Sequence, residues 1–389
     1  MENMRSIAIL TTGGTISSLN SDRGIKPSEG VISTILERLG YKNLISPDGK
    51  IKIELVPFIN KDSTNIMLAD QAKMASLAFG LTEKHNGVII THGTDTLQFT
   101  SSMLSLMLSY LKKPIVITGS MKTIEQEGSD AMKNLDDSIT FAKSGIGGVF
   151  VVFHGKVMPG QWVYETKKND GLTLDCITNA VAHVNNKKLR YNVPLNNQNV
   201  LLTPSLETRY NSNIGTIVIS PNDNIEMIVR AAEQNSGIIL LSYGSVGIPS
   251  NYFKNISDIA RTVPIVLSSQ VPSVHTLAGN YEINVMAKEA GIILGTGLYS
   301  FDYSNMANVL GMIDNEKNDK EKYLKKFMLY FENNKNRMLS IEYNKSTFEN
   351  RVTKPKEPSI LERGKLSKAL ICISRDPALT PIAALRQKV

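Results

Sequence analysis

Short, almost uninterrupted apolar runs of strand length alternate with longer amphipathic stretches. Few folds suit this pattern besides strands joined by helical crossovers into a mostly parallel sheet. In the first half of the chain the runs cover residues 6–12, 51–58, 88–91, 114–118 and 148–153. Their near-continuous Val and Ile content suits strands buried on both faces. Residues 97–111 place Met103, Leu104, Met107, Leu108 and Leu111 at the three-and-four spacing of a core-facing helix, a stripe read as packing. A polar stretch at 192–213 follows, and then a second, smaller alternation. Its strands are expected at 215–220, 237–242, 264–268 and 291–294, with helices near 224–234, 256–261 and 281–290. A single core stops growing at roughly 250–300 residues, so the 389-residue chain is divided into more than one domain. The expected organisation is a larger α/β unit over 1–200, a smaller α/β unit over 201–331 and a C-terminal extension over 332–389. Residues 320–333 read as a final amphipathic helix, and 369–373 as an apolar run that adds an edge strand or stays loose.

Charge locates the extension more than it identifies a partner. The net charge is +7, and from Glu332 onward 12 Lys/Arg against 6 Asp/Glu account for +6 of it. The body is therefore nearly neutral, nucleic acid is not expected as a partner, and the basic surplus reads as a solvated segment. No apolar stretch reaches the roughly 18 residues of a membrane span. The run at 7–10 meets a Thr/Gly cluster rather than a cleavage site, so it reads as a buried strand and not as a signal peptide. Cys176 and Cys372 lie far apart and have no metal-ligand spacing, which fits a reduced, cytoplasmic setting without a disulfide framework.

In open parallel sheets ligands bind beyond the carboxyl ends of the strands, and two loops in that position share a composition. The first reads Thr11, Thr12, Gly13, Gly14, Thr15, Ile16. Paired glycines allow a tight turn and a close backbone approach, and Thr15 presents a hydroxyl there. The Lys-Ser/Thr of a phosphate loop and the three-glycine dinucleotide spacing are both missing. The second reads His92, Gly93, Thr94, Asp95, Thr96 ahead of a helix. One threonine or aspartate would serve as an N-cap. A run of Gly-Thr-Asp-Thr exceeds that need and gathers hydroxyls and a carboxylate where unpaired N–H groups point. His92, grouped with neither a nucleophile nor a metal partner, reads as a hydrogen-bonding loop residue, and no metal or cofactor is expected.

Together these loops resemble those of the bacterial-type L-asparaginases. Two further segments support the likeness: residues 114–122, Pro-Ile-Val-Ile-Thr-Gly-Ser-Met-Lys, and Asp62-Ser63-Thr64-Asn65. The likeness is strong over residues 7–153, extends to about 331 and does not reach the tail. It implies a two-domain fold, with a larger N-terminal, mostly parallel sheet flanked by helices and a smaller C-terminal α/β domain. It also implies a homodimer or homotetramer acting on a small-molecule amide. The threonine matching Thr15 would attack the side-chain amide, releasing ammonia and leaving an aspartyl ester that water cleaves. Thr94 would act with Asp95 and a lysine, which could handle a proton only if its surroundings lower its proton affinity. Ser63, Thr64 and Ser120 would complete the substrate site, with Asp95 gripping the amino group.

The departures bear on that reading. Counted without gaps from Gly160, the lysine position falls on Glu165, and allowing two extra residues selects Lys167, followed by Lys168. Lys167 is taken as the fourth catalytic residue with Thr15, Thr94 and Asp95. The mobile-loop tyrosine of the family aligns with Ile25, so a flap aromatic would come from Tyr243 or Tyr299. Ile248 stands near a position where relatives carry an amide. These changes leave two alternatives to an asparaginase: an amidase for a larger biosynthetic amide, and a catalytically impaired amino-acid-binding member.

Overall fold

The computed structural model describes residues 4–22, 24–168, 171–192, 203–222, 225–271, 282–313 and Lys325. The chain falls into two compact units, 1–341 and 342–389, and all described residues belong to the first. The expected helix at 320–333, the run at 369–373 and the extension 332–389 lie outside the description, apart from Lys325.

All five apolar runs of the first half become adjacent parallel strands. In spatial order they are Ile51–Lys61, Arg5–Gly13, Gly87–Thr91, Pro114–Thr118 and Gly148–Phe153. Three further strands, Lys156–Pro159, Ala182–Asn185 and Lys188–Tyr191, extend the sheet antiparallel beyond Gly148–Phe153. The alternate side chains explain why the runs are continuously apolar. Ile7, Ile9, Ile89, Val116 and Val152 face the helices Val31–Arg38 and Ala131–Ala142. Leu10, Val88, Ile90, Ile117 and Val151 face Leu68–Lys84 and Thr94–Met107. The four inner strands are thus buried on both sides, whereas the edge strand Ile51–Lys61 leaves Lys52 and Glu54 exposed.

The spatial order of the five parallel strands is 2-1-3-4-5. The direction of winding therefore reverses between Arg5–Gly13 and Gly87–Thr91, and a crevice opens at the carboxyl ends of such a pair. The two hydroxyl-rich loops leave from these two strands.

A second sheet runs Ile214–Val218, Gly237–Ser242, Ile265–Ser269, Ile293–Leu294, all parallel. One face packs on Ile228, Ile256 and Ala287 of three helices. The other packs on Met306, Val309 and Leu310 of the helix Tyr299–Met312. This last helix also lies against Thr94–Met107, with Phe99 edge-on to Tyr299 and Tyr303 at 5.5 and 6.2 Å.

One sequence expectation is corrected in this region. The helix predicted to reach Leu111 stops at Met107, because Leu108–Ser109 pairs as a short strand with Ser205–Leu206 inside the polar stretch. Ile248 is 2% exposed and belongs to the core of the second sheet, so its apolar character is a packing requirement.

Asp302, in the first turn of Tyr299–Met312, is fully buried. It accepts hydrogen bonds from Ser268 Oγ at 2.5 Å, the Thr296 N–H at 3.1 Å and Thr296 Oγ1 at 3.0 Å, fastening the helix to the end of a sheet strand. Asp302→Ala leaves those donors unsatisfied and should destabilise the fold by about 2–4 kcal/mol. The shift of the urea midpoint measures it, and a loss under about 0.5 kcal/mol would contradict this role.

Candidate active site

The end of the sheet is stapled before any loop begins. Thr11, Thr91 and Thr118 stand in register at the carboxyl ends of three neighbouring strands. Thr12 Oγ1 donates to the Thr91 carbonyl at 2.6 Å, and Thr118 Oγ1 donates to the Val152 carbonyl at 2.8 Å. These buried bonds hold the strand ends together at the point where the loops must diverge.

Beyond that row, four loops touch through their backbones. Gly14 has φ +74°, and a Cβ there would lie 2.2 Å from the Gly93 nitrogen. A Cβ on Gly93 would lie 2.5 Å from Ser63 Oγ, and one on Gly119 would meet the His92 carbonyl oxygen at 2.4 Å and Thr94 Cγ2 at 3.6 Å. Only glycine permits these approaches. Thr15, Ser63, Thr94 and Ser120 are therefore each next to, or part of, one packed junction at the switch point. Thr15 is half-buried and opens the short 3-10 turn Thr15–Ser17, which is held by Ser17 N–H and Ser18 Oγ donating to the Gly14 carbonyl.

Each loop is fixed from behind. Asp62 accepts from the Thr64 N–H at 2.9 Å and from Thr64 Oγ1 at 2.7 Å, and these bonds hold its carboxyl below the usual range. The Ser63 carbonyl accepts from Thr96 Oγ1 at 2.7 Å, tying this turn to the first turn of Thr94–Met107. Asp130 accepts from the Met121 and Lys122 amides behind buried Ser120. Burial alone would raise its pKa, but the hydrogen bonds from the His154 side chain and these amides outweigh burial and keep it ionised. Asn134 Nδ2 donates to the Gly119 carbonyl at 3.0 Å. His92 is fully buried, and its desolvation depresses its pKa to about 4. Its Nδ1 lies 2.8 Å from the Gly93 carbonyl and must carry the hydrogen, so His92 is a neutral loop brace.

Thr94 is 9% exposed, while Asp95, the next residue on the helix, is exposed. Glu165 is half-buried on the strand Val163–Lys168. Its backbone N–H donates to Gln98 Oε1 at 3.0 Å, one helical turn beyond Asp95. Desolvation and the Asp95 charge both push the Glu165 pKa up. Lys167 comes two residues later on the same strand and is exposed. Lys168 is ion-paired with Asp175 on the partner strand Gly171–Cys176. The lysine expected from a two-residue insertion, Lys167, thus lies on the exposed end of this strand, and Glu165 holds the ungapped position. Asn169, part of the same sequence match, lies outside the described residues.

The flap candidates also separate. Ile25 is 50% exposed on the hairpin formed by Ser18–Ser21 and Gly24–Pro27, whose Asn20 N–H donates to Glu125 at 3.0 Å. Tyr299 is committed to the ring cluster with Phe99 and Tyr303. Tyr243 is 38% exposed just beyond the strand Gly237–Ser242.

An "Asparaginase, N-terminal" family model matches residues 6–196. The L-asparaginase of Thermococcus kodakarensis is 33% identical over 296 residues, covering 74% of this chain and 87% of that one. The chain belongs to the asparaginase family. The structure of the thermostable T. kodakarensis L-asparaginase superimposes with a TM-score of 0.74 at 29% identity, covering 84% of this chain and 97% of that one. A glutamyl-tRNA(Gln) amidotransferase component of Thermoplasma volcanium is 33% identical over 161 residues, which is 41% of this chain and 38% of that one. The expected fold, a large mostly parallel sheet with helices on both faces and a second smaller sheet, is the asparaginase fold. The protein is an amidohydrolase of this family. No helix among the described residues is long and apolar enough to cross a membrane.

Proposed function

We propose that this asparaginase-family protein hydrolyses L-asparagine to L-aspartate and ammonia through a covalent ester on Thr15. The observation that carries the reading is the junction at the switch point, where Gly14, Gly93, Ser63 and Gly119 bring the loops bearing Thr15, Thr94 and Ser120 into van der Waals contact. In the first half-reaction Thr15 Oγ1 bonds to the amide carbon, the C–N bond breaks, and the threonine proton ends on nitrogen, which leaves as ammonia. In the second, water adds to the ester, the product carboxylate leaves and Thr15 recovers its proton. Thr94 stands where the amino end of a helix and fixed backbone dipoles stabilise a developing oxyanion, often the largest catalytic contribution. Ser63, Thr64 and Ser120 supply polar contacts to the substrate, and Asp95 takes its ammonium group. In this reading residues 1–200 carry the catalytic loops.

Ammonia release from L-asparagine, L-glutamine and a panel of amidated peptides tests the reading. Turnover should be highest with asparagine. Release from none of these amides would remove the hydrolytic reading. Similarity to an amidotransferase component favours one second reading, an amide held within a larger substrate, and turnover confined to the larger amides would select it. Following the family resemblance, the working form is a homodimer or homotetramer in a reducing cytoplasmic compartment, and a solely monomeric species in sedimentation velocity would count against that assembly.

A further inference from the structure

The turn that carries Ser120 is held from behind by a relay that starts on another element. Pro114–Thr118 and Gly148–Phe153 are neighbouring parallel strands, so the turn at 119–122 and the turn at 154–155 leave the same end of the sheet. His154 has φ +44° and Gly155 has φ +76°, between the antiparallel strands Gly148–Phe153 and Lys156–Pro159. Asparagine and glycine fill such a two-residue hairpin turn best, so the backbone does not call for an imidazole here. The side chain has a use of its own. His154 Nε2 lies 3.2 Å from Asp130 Oδ2, and Asp130 accepts from the Met121 N–H at 3.0 Å and the Lys122 N–H at 3.1 Å, the two amides that follow Ser120. A second arm leaves the His154 backbone, whose N–H donates to Asn134 Oδ1 at 2.9 Å, while Asn134 Nδ2 donates to the Gly119 carbonyl. The other ring nitrogen, Nδ1, lies 3.2 Å from Oγ1 of buried Thr173 on the strand Gly171–Cys176. The hydrogen-bond roles along this chain follow from Asp130, which is ionised and can only accept. The ring therefore presents Nε2–H to Asp130, Nδ1 of the neutral ring is left with a lone pair, and Thr173 Oγ1 donates to it.

We propose that His154 is a positioning residue for the substrate-binding turn at Ser120, acting through Asp130, with Thr173 holding the imidazole in the tautomer this requires. The inference rests on the asparagine-hydrolase reading above, in which Ser120 contacts the substrate. Asp130 is the shared acceptor of both amides, so what fixes its oxygens fixes the turn. Without the Nε2–H, Asp130 keeps the Asn134 Nδ2 donor at 2.9 Å but loses its link to Thr173. The relay accounts for a histidine whose side chain is 45% exposed and yet has a partner at each ring nitrogen. It also joins two parts of the site. The hairpin of Val163–Lys168 and Gly171–Cys176 is bonded to the helix Thr94–Met107 through Gln98 and to the Ser120 turn through His154.

The test compares wild type with His154→Asn, His154→Gln, Thr173→Val and the double variant His154→Asn/Thr173→Val. Asparagine suits the turn at least as well as histidine but is too short to reach Asp130, so His154→Asn should melt no lower than wild type. Its KM for L-asparagine should rise about fivefold with kcat within about twofold, because a contact made in the ground state is loosened. His154→Gln places an amide N–H where Nε2–H stood and should recover most of the wild-type KM. Thr173→Val should raise KM about twofold, and since Thr173 acts only through the ring, the double variant should match His154→Asn instead of multiplying the two losses. Hydrogen exchange of the Met121 and Lys122 amides, followed by NMR without substrate, should be about fivefold faster in His154→Asn and near wild type in His154→Gln. A merely structural histidine would lower the melting temperature in His154→Asn and leave KM as it is. Wild-type KM in His154→Asn, multiplied losses in the double variant, or unchanged exchange at Met121 and Lys122 would each overturn the inference. If wild type releases no ammonia, the hydrolase reading fails separately. The exchange rates then decide the positioning role alone: faster exchange in His154→Asn, restored in His154→Gln, supports it, and wild-type rates in His154→Asn refute it.

Discussion

Thr15→Ala should lose ammonia release by at least about 10⁴-fold while still binding asparagine, because removing a nucleophile abolishes the covalent route but leaves the binding contacts in place. The packing around residue 15 makes the substitution a clean one. Ile16, not Thr15, points into the core, and the turn is held by hydrogen bonds to the Gly14 carbonyl that do not involve the Thr15 side chain. The thermal midpoint should therefore stay close to wild type. Steady-state ammonia release and calorimetric titration of asparagine, made on the same preparation, separate the two effects. Residual turnover within tenfold of wild type would remove Thr15 from the covalent step.

Gly14→Ala should cost both activity and stability. Two costs coincide at this position. The backbone has φ +74°, which an L side chain adopts at about 1–3 kcal/mol. The added Cβ would also fall 2.2 Å from the Gly93 nitrogen, 2.4 Å from its Cα and 2.7 Å from the His92 carbonyl carbon. All three are backbone atoms of the loop that carries Thr94, and no side chain can swing aside to make room. Relief therefore requires the two loops to part, and a shift of about 1 Å at reacting groups is enough to lose roughly 100-fold in rate. Activity should fall by at least that much, and stability by about 2–4 kcal/mol. Gly49→Ala is the matched comparison: its φ is +67°, with nothing within 4 Å of the new Cβ. It should show the backbone strain alone, with wild-type kcat. Equal behaviour of the two variants would mean that the Gly14–Gly93 contact does not hold the site together.

Where the physics is local, the sequence discloses the structure. Apolar runs of four to eight residues suit strands of a sheet covered by helices, and all five in the first half became neighbouring parallel strands. The Thr-Gly-Gly-Thr and His-Gly-Thr-Asp-Thr loops were legible because their glycines and hydroxyls exceed what turns and caps require. The strand order that brings these loops together could not be read from the residues, since it depends on which strands pair. Leu108–Ser109 looked helical for a related reason: its strand partner, Ser205–Leu206, lies 96 to 98 positions away (205 − 109 and 206 − 108) and in a polar stretch. The packing of Tyr299, a flap candidate by sequence, on Phe99 is likewise a tertiary contact that no local pattern announces.

Glu165 marks the limit most clearly. A strand displays alternate residues on one face, so Glu165 and Lys167 present the same side of the strand Val163–Lys168. The family resemblance, read with two extra residues, selected Lys167. The Gln98 side chain accepts from the Glu165 amide, and Lys167, two residues further along, is exposed. That contact spans 67 positions in sequence, beyond the reach of any local pattern.

The most direct measurement is to mix the enzyme with excess L-asparagine, quench in acid during steady turnover and map the digested protein by mass spectrometry. The account predicts an added aspartyl group on the peptide containing Thr15, absent without substrate and absent from Thr15→Ala. An aspartyl adduct on any other side chain, or turnover that persists in Thr15→Ala with no adduct in either protein, would contradict it.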